Sequence, residues 1–107
     1  MYYELRTYTA APGKMDALLQ RFRDHTIALF GKHDIKVVGF WTSDVTGNDE
    51  LVYLLAYPDQ ASSKTYWEAF RKDPQWIQTK SATEVNGKLA ANIVSKHLIP
   101  TDFSPLQ

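Results

Sequence analysis

The eight residues Glu50-Leu51-Val52-Tyr53-Leu54-Leu55-Ala56-Tyr57 constrain the fold more than any other segment of the chain. They are rich in strand formers. Turn residues bound them, Thr46-Gly47-Asn48-Asp49 before and Pro58 after. In a strand successive side chains point to opposite faces, so Leu51, Tyr53 and Leu55 share one face and Val52, Leu54 and Ala56 the other. A strand that is apolar on both faces belongs in the middle of a sheet covered on both sides. The remaining segments must supply its neighbours and its covers.

Residues 2–10 alternate as a first strand, with Tyr3, Leu5, Thr7 and Thr9 on one face and Tyr2, Glu4, Arg6 and Tyr8 on the other. Pro12-Gly13 ends it. From Lys14 to Lys32 the period becomes helical, with Met15, Leu18, Leu19, Phe22, Thr26, Leu29 and Phe30 three and four residues apart. The spacing predicts one amphipathic helix ending near Gly31-Lys32-His33. Residues 35–45 read as a second strand, hairpinned to 50–57, with Val37 and Trp41 on one face and Val38 and Phe40 on the other. Ser62 or Ser63 is a candidate cap for a helix running to Lys72. Asp73-Pro74 restarts the chain as a short second helix, and Asn86-Gly87 stops it. Residues 92–99 form the last strand, and Pro100–Gln107 is a tail.

The order β-α-β-β-α-β is the ferredoxin-like pattern. It predicts one α+β domain over residues 1–107, a four-stranded antiparallel sheet with its helices on one face. Its first and third strands lie centrally. The other sheet face then carries too much apolar surface for water, which predicts a homodimer through two facing sheets.

Composition narrows the partners. Twelve Lys and Arg balance twelve Asp and Glu, with no basic stripe of the kind that nucleic-acid binding requires. No apolar run approaches the roughly 20 residues of a membrane span. The absence of cysteine removes disulfides, thiolate metal sites and thiol nucleophiles, and fits a reducing cytoplasm. No pair of histidines has metal-ligand spacing, and no serine sits in a nucleophile elbow. Neither a metal nor another cofactor is expected.

The candidates for chemistry are few. His25 lies on the shoulder of the first helix's apolar stripe, where an imidazole facing a helix–sheet cavity could serve as a general base or a haem ligand. Inert, hydrogen-bonded placement at the core boundary is the simpler account of it. His33 suits a helix end, and His97 alternates with Ser95 and Ile99 on the last strand. Glu4 and Arg6 share one face of a central strand, so burial obliges them to pair, as a structural unit or to orient a polar ligand. Aromatics make up 13% of the chain. Trp41, Tyr53, Tyr66, Trp67 and Trp76 are the set that could wall a pocket for a flat molecule, or fill the core.

Tyr3-Glu4-Leu5-Arg6-Thr7-Tyr8-Thr9 with Pro12-Gly13-Lys14 resembles the opening of the NIPSNAP family. Further points of resemblance are His25-Thr26, Lys32-His33, Val38-Gly39-Phe40-Trp41, Leu54-Leu55-Ala56-Tyr57, Asp73-Pro74-Gln75-Trp76, Ile99-Pro100 and the ending Phe103-Ser104-Pro105-Leu106-Gln107. The resemblance implies a dimeric α+β barrel built from two ferredoxin-like protomers. It implies little chemistry, since family members have been linked to vesicle transport and mitochondria, while the wider superfamily includes cofactor-free monooxygenases, isomerases and haem-binding enzymes. The chain begins without an organelle-targeting extension, which favours a cytoplasmic member. Asp34 stands where the family pattern suggests glycine, so the turn there is in question. Three functions are carried forward: binding or converting a small aromatic molecule between helices and sheet, a non-catalytic scaffold using the Pro100–Gln107 tail, and haem binding through His25.

Overall fold

The alternation of the first strand decides what the rest of the chain is built on. In the computed structural model, which describes residues 1–43 and 49–107, β1 (Tyr2–Ala10) buries Glu4, Arg6, Tyr8 and Ala10 on one face. The other strands are β2 (Lys36–Ser43), β3 (Glu50–Tyr57) and β4 (Ala90–Leu98). The sheet order is β2-β3-β1-β4, antiparallel throughout, so β1 and β3 are central as their patterns require. The predicted turn at Thr46–Asn48, with Asp44 and Val45, lies outside the described residues.

Between β1 and β2 the expected single helix has three parts: α1 (Met15–Arg21), a π-helical turn over Phe22–Thr26, and α2 (Ile27–Lys32). The Thr26 hydroxyl donates to the Arg21 carbonyl five residues back, at 3.4 Å. Leu18, Phe22, Thr26 and Phe30 are all buried and lie four residues apart. A regular α-helix would rotate such a row by about 40° per step. The wider π turn takes up that rotation and keeps the row on the sheet.

Helix α3 (Gln60–Lys72) is capped by Asp59, not by Ser62 or Ser63. The Asp59 carboxylate accepts from the Ser62 N–H at 2.7 Å, a job its longer reach and charge suit. Asp73 caps α4 (Pro74–Thr83) by accepting from the Gln75 N–H at 2.8 Å. It also takes Lys32 Nζ and His33 Nε2, each at 2.7 Å, tying the end of α2 to the α3–α4 junction. Those bonds from Lys32, His33 and the Gln75 N–H hold its carboxyl well below the usual range.

Leu18, Phe22, Leu29 and Phe30 from the first helical segment and Trp67 and Phe70 from α3 pack on Tyr53, Leu55 and Tyr57. In β2 a bulge between Val37 and Gly39 shifts the register. Val37 and Phe40 therefore both pack against the core, while Trp41 lies on the open face, separating the expected Val37–Trp41 and Val38–Phe40 pairs. The helices stop short of β4, whose residues 91–98 are all exposed.

Asp34 has a left-handed backbone, φ 62°, directly after the α2 end. The turn keeps the glycine geometry although the residue is not glycine. Asp34→Gly is expected to stabilise the protein by about 1 kcal/mol, because it removes the Cβ penalty of that conformation. A rise in the urea midpoint at unchanged slope checks it.

Candidate functional site

The site grows from the even-numbered residues of β1. Pairing registers place Arg6 between Tyr53 of β3 and Ser95 of β4, beneath the helices. Its Nη1 donates to Glu4 Oε2 at 2.9 Å, its Nε to the Tyr53 hydroxyl at 2.9 Å and its Nη2 to the Tyr8 hydroxyl at 3.2 Å. The Tyr53 hydroxyl donates in turn to that of Tyr8 at 3.0 Å. Glu4 Oε1 accepts from the Tyr57 hydroxyl at 2.6 Å and Trp67 Nε1 at 3.1 Å, while Ser95 Oγ donates to Oε2. Trp67 covers the cluster, with the Arg6 guanidinium 4.4 Å from its ring centre.

This network fixes protonation. Burial pushes the Glu4 carboxyl up, but bonds from Ser95, Tyr57 and Arg6 outweigh it and hold the group below its ordinary value. Burial works against the Arg6 charge, and the Tyr53, Tyr8 and Glu4 oxygens more than restore it. Burial, reinforced by Glu4, pushes Tyr57 well up; burial and Tyr8 do the same to Tyr53. An ionised Glu4–Arg6 pair is thus flanked by the neutral phenols of Tyr53 and Tyr57.

Beside the network lies a cavity of about 320 Å³ between the sheet and the helices. Its walls include Tyr8, Phe22, Phe30, Trp67, Phe70 and Trp76, and Ile93 of the uncovered β4 stands at it as well. The π turn contributes Phe22 and Thr26, and Arg21 precedes it. Such turns recur at functional sites because they displace side chains from the regular helical row. Arg21 donates to Glu84 Oε2 at 2.8 Å and lies 5.2 Å from the Trp76 ring centre.

The residues singled out by sequence divide. Glu4 and Arg6 pair with each other under the helices. Trp67 and Trp76 line the cavity. Tyr53 is fully buried behind it and acts through its hydroxyl on Arg6 and Tyr8. Tyr66 is half-buried and packs against Tyr57, with ring centres 6.4 Å apart. Trp41 is 54% exposed on the opposite sheet face, so it does not join them. His25 is exposed and lines a separate groove with Gln20, Asp24 and Thr83, because the π turn directs Phe22 and Thr26 inward instead. The imidazole expected of a base or haem ligand is therefore not at this cavity. His33 binds Asp73, and His97 stacks on Tyr2 at 5.5 Å. Sequence reasoning passed over Tyr8 and Arg21. Tyr8 was signalled by its position two residues beyond Arg6 on the same strand face. Among the described residues no cluster of three or more His, Cys, Asp or Glu could hold a metal. No described helix is long and apolar enough to cross a membrane.

A family model described as NIPSNAP matches residues 3–105. A NIPSNAP domain protein from Burkholderia xenovorans is similar in structure, with TM-score 0.84 and 27% identity over 98% of this chain and 99% of that one. A NIPSNAP family protein from Agrobacterium tumefaciens matches with TM-score 0.86 and 26% identity, over 100% of this chain and 94% of that one. A putative antibiotic biosynthesis monooxygenase from Nitrosomonas europaea shares the fold alone, with TM-score 0.65 and 12% identity over 94% and 98% of the two chains. No curated protein sequence matches the chain significantly.

Proposed function

The chain belongs to the NIPSNAP family, and from that premise we propose that it binds a small, flat aromatic molecule in the cavity between helices and sheet, as a homodimer joined through the open sheet face. The observation that carries the binding reading is the cavity itself. Its aromatic walls stand on a buried polar cluster whose charges are already balanced, so the cluster shapes the floor while the rings offer contact area. Binding is favoured over conversion because Tyr53 and Tyr57 are held protonated and Glu4 is occupied by four donors. Glu4, Tyr53 and Tyr57 lie behind the lining and brace it rather than take a proton from a ligand.

Native mass spectrometry of the purified protein is the test. The expected result is a dimer mass with a retained small molecule. Ala90→Phe, which fills the cavity from the start of β4, is expected to abolish retention while leaving the melting temperature within a few degrees. Equal retention by the variant would move the ligand elsewhere and end this reading.

A further inference from the structure

We propose that the ligand of this cavity is an aromatic carboxylate, its ring held among Trp67, Phe70 and Trp76 and its charge drawn by Arg71, Lys80, Lys88 and Arg21. The inference rests on the pocket reading above and adds the sign of the ligand's charge.

The chain as a whole is electrically balanced, with 12 cationic and 12 acidic side chains. The cavity is not. Arg6, Arg21, Arg71, Lys80 and Lys88 line it against the single carboxylate of Glu84. Glu4 answers Arg6 and Glu84 answers Arg21. Arg71, Lys80 and Lys88 form no ion pair among the described residues. They are exposed, at the rim, whereas Arg6 and Arg21 are buried within. A cleft edged by one sign of charge and walled by low-dielectric rings focuses its field on an entering anion.

A second observation points the same way. Arg21 Nε is buried and has no hydrogen-bond partner among the described residues. A buried guanidinium N–H without an acceptor is costly, and negative charge seated beside the guanidinium lowers that cost although Nε itself is closed off from the open cavity. The neighbouring surface fits the rest of such a molecule. The Arg21 guanidinium lies 5.2 Å from the Trp76 ring centre, and Trp76 is 4.8 Å from Phe70. Arg6 and Arg71 likewise lie over the Trp67 ring, at 4.4 and 5.2 Å, so a flat ring entering there meets aromatic walls interleaved with guanidinium cations. A carboxylate continues the plane of a conjugated ring, so both features can be met by one planar molecule.

Cinnamate and cinnamamide test the idea, since they differ in charge and hardly in shape. Isothermal titration of the full chain at low ionic strength is expected to show cinnamate binding at least about tenfold tighter. The preference is expected to collapse toward one in Lys80→Met/Lys88→Met, whose sites are exposed and leave the fold intact, and at about 0.5 M salt. Arg21→Lys keeps the charge but loses the planar fork, and is expected to weaken cinnamate more than cinnamamide. Equal binding of the two compounds, or a preference that survives the double variant, would overturn the anion assignment while leaving the pocket reading in place. Failure of both compounds to bind would bring down the pocket reading and this inference with it.

Discussion

Glu4→Ala is expected to cost about 3–5 kcal/mol of folding stability, the effect of stripping one partner from a buried ion pair. The Glu4 side chain is 4% exposed and that of Arg6 10% exposed. Without the carboxylate, Arg6 keeps a buried charge, and the Tyr57 hydroxyl and Trp67 Nε1 lose their shared acceptor. A domain of this size holds about 5–15 kcal/mol in total, so the urea midpoint should fall by a large fraction. The double variant Glu4→Gln/Arg6→Met should recover part of the loss, because it removes both charges and keeps the shape. The pH dependence follows from the sign of the shift. The folded Glu4 pKa is depressed, so its contribution is complete above the unfolded value of about 4.3 and is lost as pH falls through the folded one. Glu4→Gln should therefore flatten the acid limb of the stability curve. A cost below about 1 kcal/mol for Glu4→Ala would mean that Arg6 reaches solvent and that the network does not hold the floor of the cavity.

The pair also shows what was legible in the sequence. Alternation alone placed Glu4, Arg6 and Tyr8 on one face, and the two-sided apolarity of β3 placed β1 and β3 centrally. Both are short-range consequences of the strand period. The π turn was visible in principle, because four buried positions spaced by four do not fit a straight α-helix. The bulge after Val37 was not visible, since it depends on how β2 meets β3. The cavity was the least legible feature. Its lining comes from β1, the end of α1, the π turn, α2, α3, α4 and the start of β4, and only their packing brings Arg21, Trp67 and Ile93 to one space. His25 and Trp41 failed to reach it for the same two local reasons, the helical widening and the strand bulge, which together decide which side chains turn inward.

Leu54→Lys is expected to convert the proposed dimer into a folded monomer, halving the mass seen by sedimentation equilibrium. Leu54 pairs with Leu5 and Gly39 near the middle of the open sheet face. Val52, Trp41, Val94 and Leu98 extend that face, the last three at 54%, 51% and 36% exposure. Trp41 lies flat on the strand because Gly39 has no Cβ; an added one would come within 2.8 Å of the indole ring. Four strands about 4.8 Å apart, each about eight residues long at 3.3 Å per residue, present roughly 500 Å² per copy. Two copies reach about 1,000 Å², the lower bound for a specific interface. The end of the tail is tied to one strand of that face, the Gln107 carbonyl accepting from the Tyr3 hydroxyl at 3.0 Å, and Ile99 and Phe103 are 79% and 83% exposed. A face of this kind is self-complementary under a twofold axis, since each copy supplies the same flat apolar surface. A lysine at its centre must be buried unpaired in a dimer but reaches water in a monomer, so the substitution acts on assembly and spares the core. Wild-type protein that sediments as a monomer at about 100 μM, well above the dissociation constant expected of a stable pairing, would end the dimer reading. The cavity would survive that outcome, because every residue lining it lies on the helix side of a single chain or on its rim.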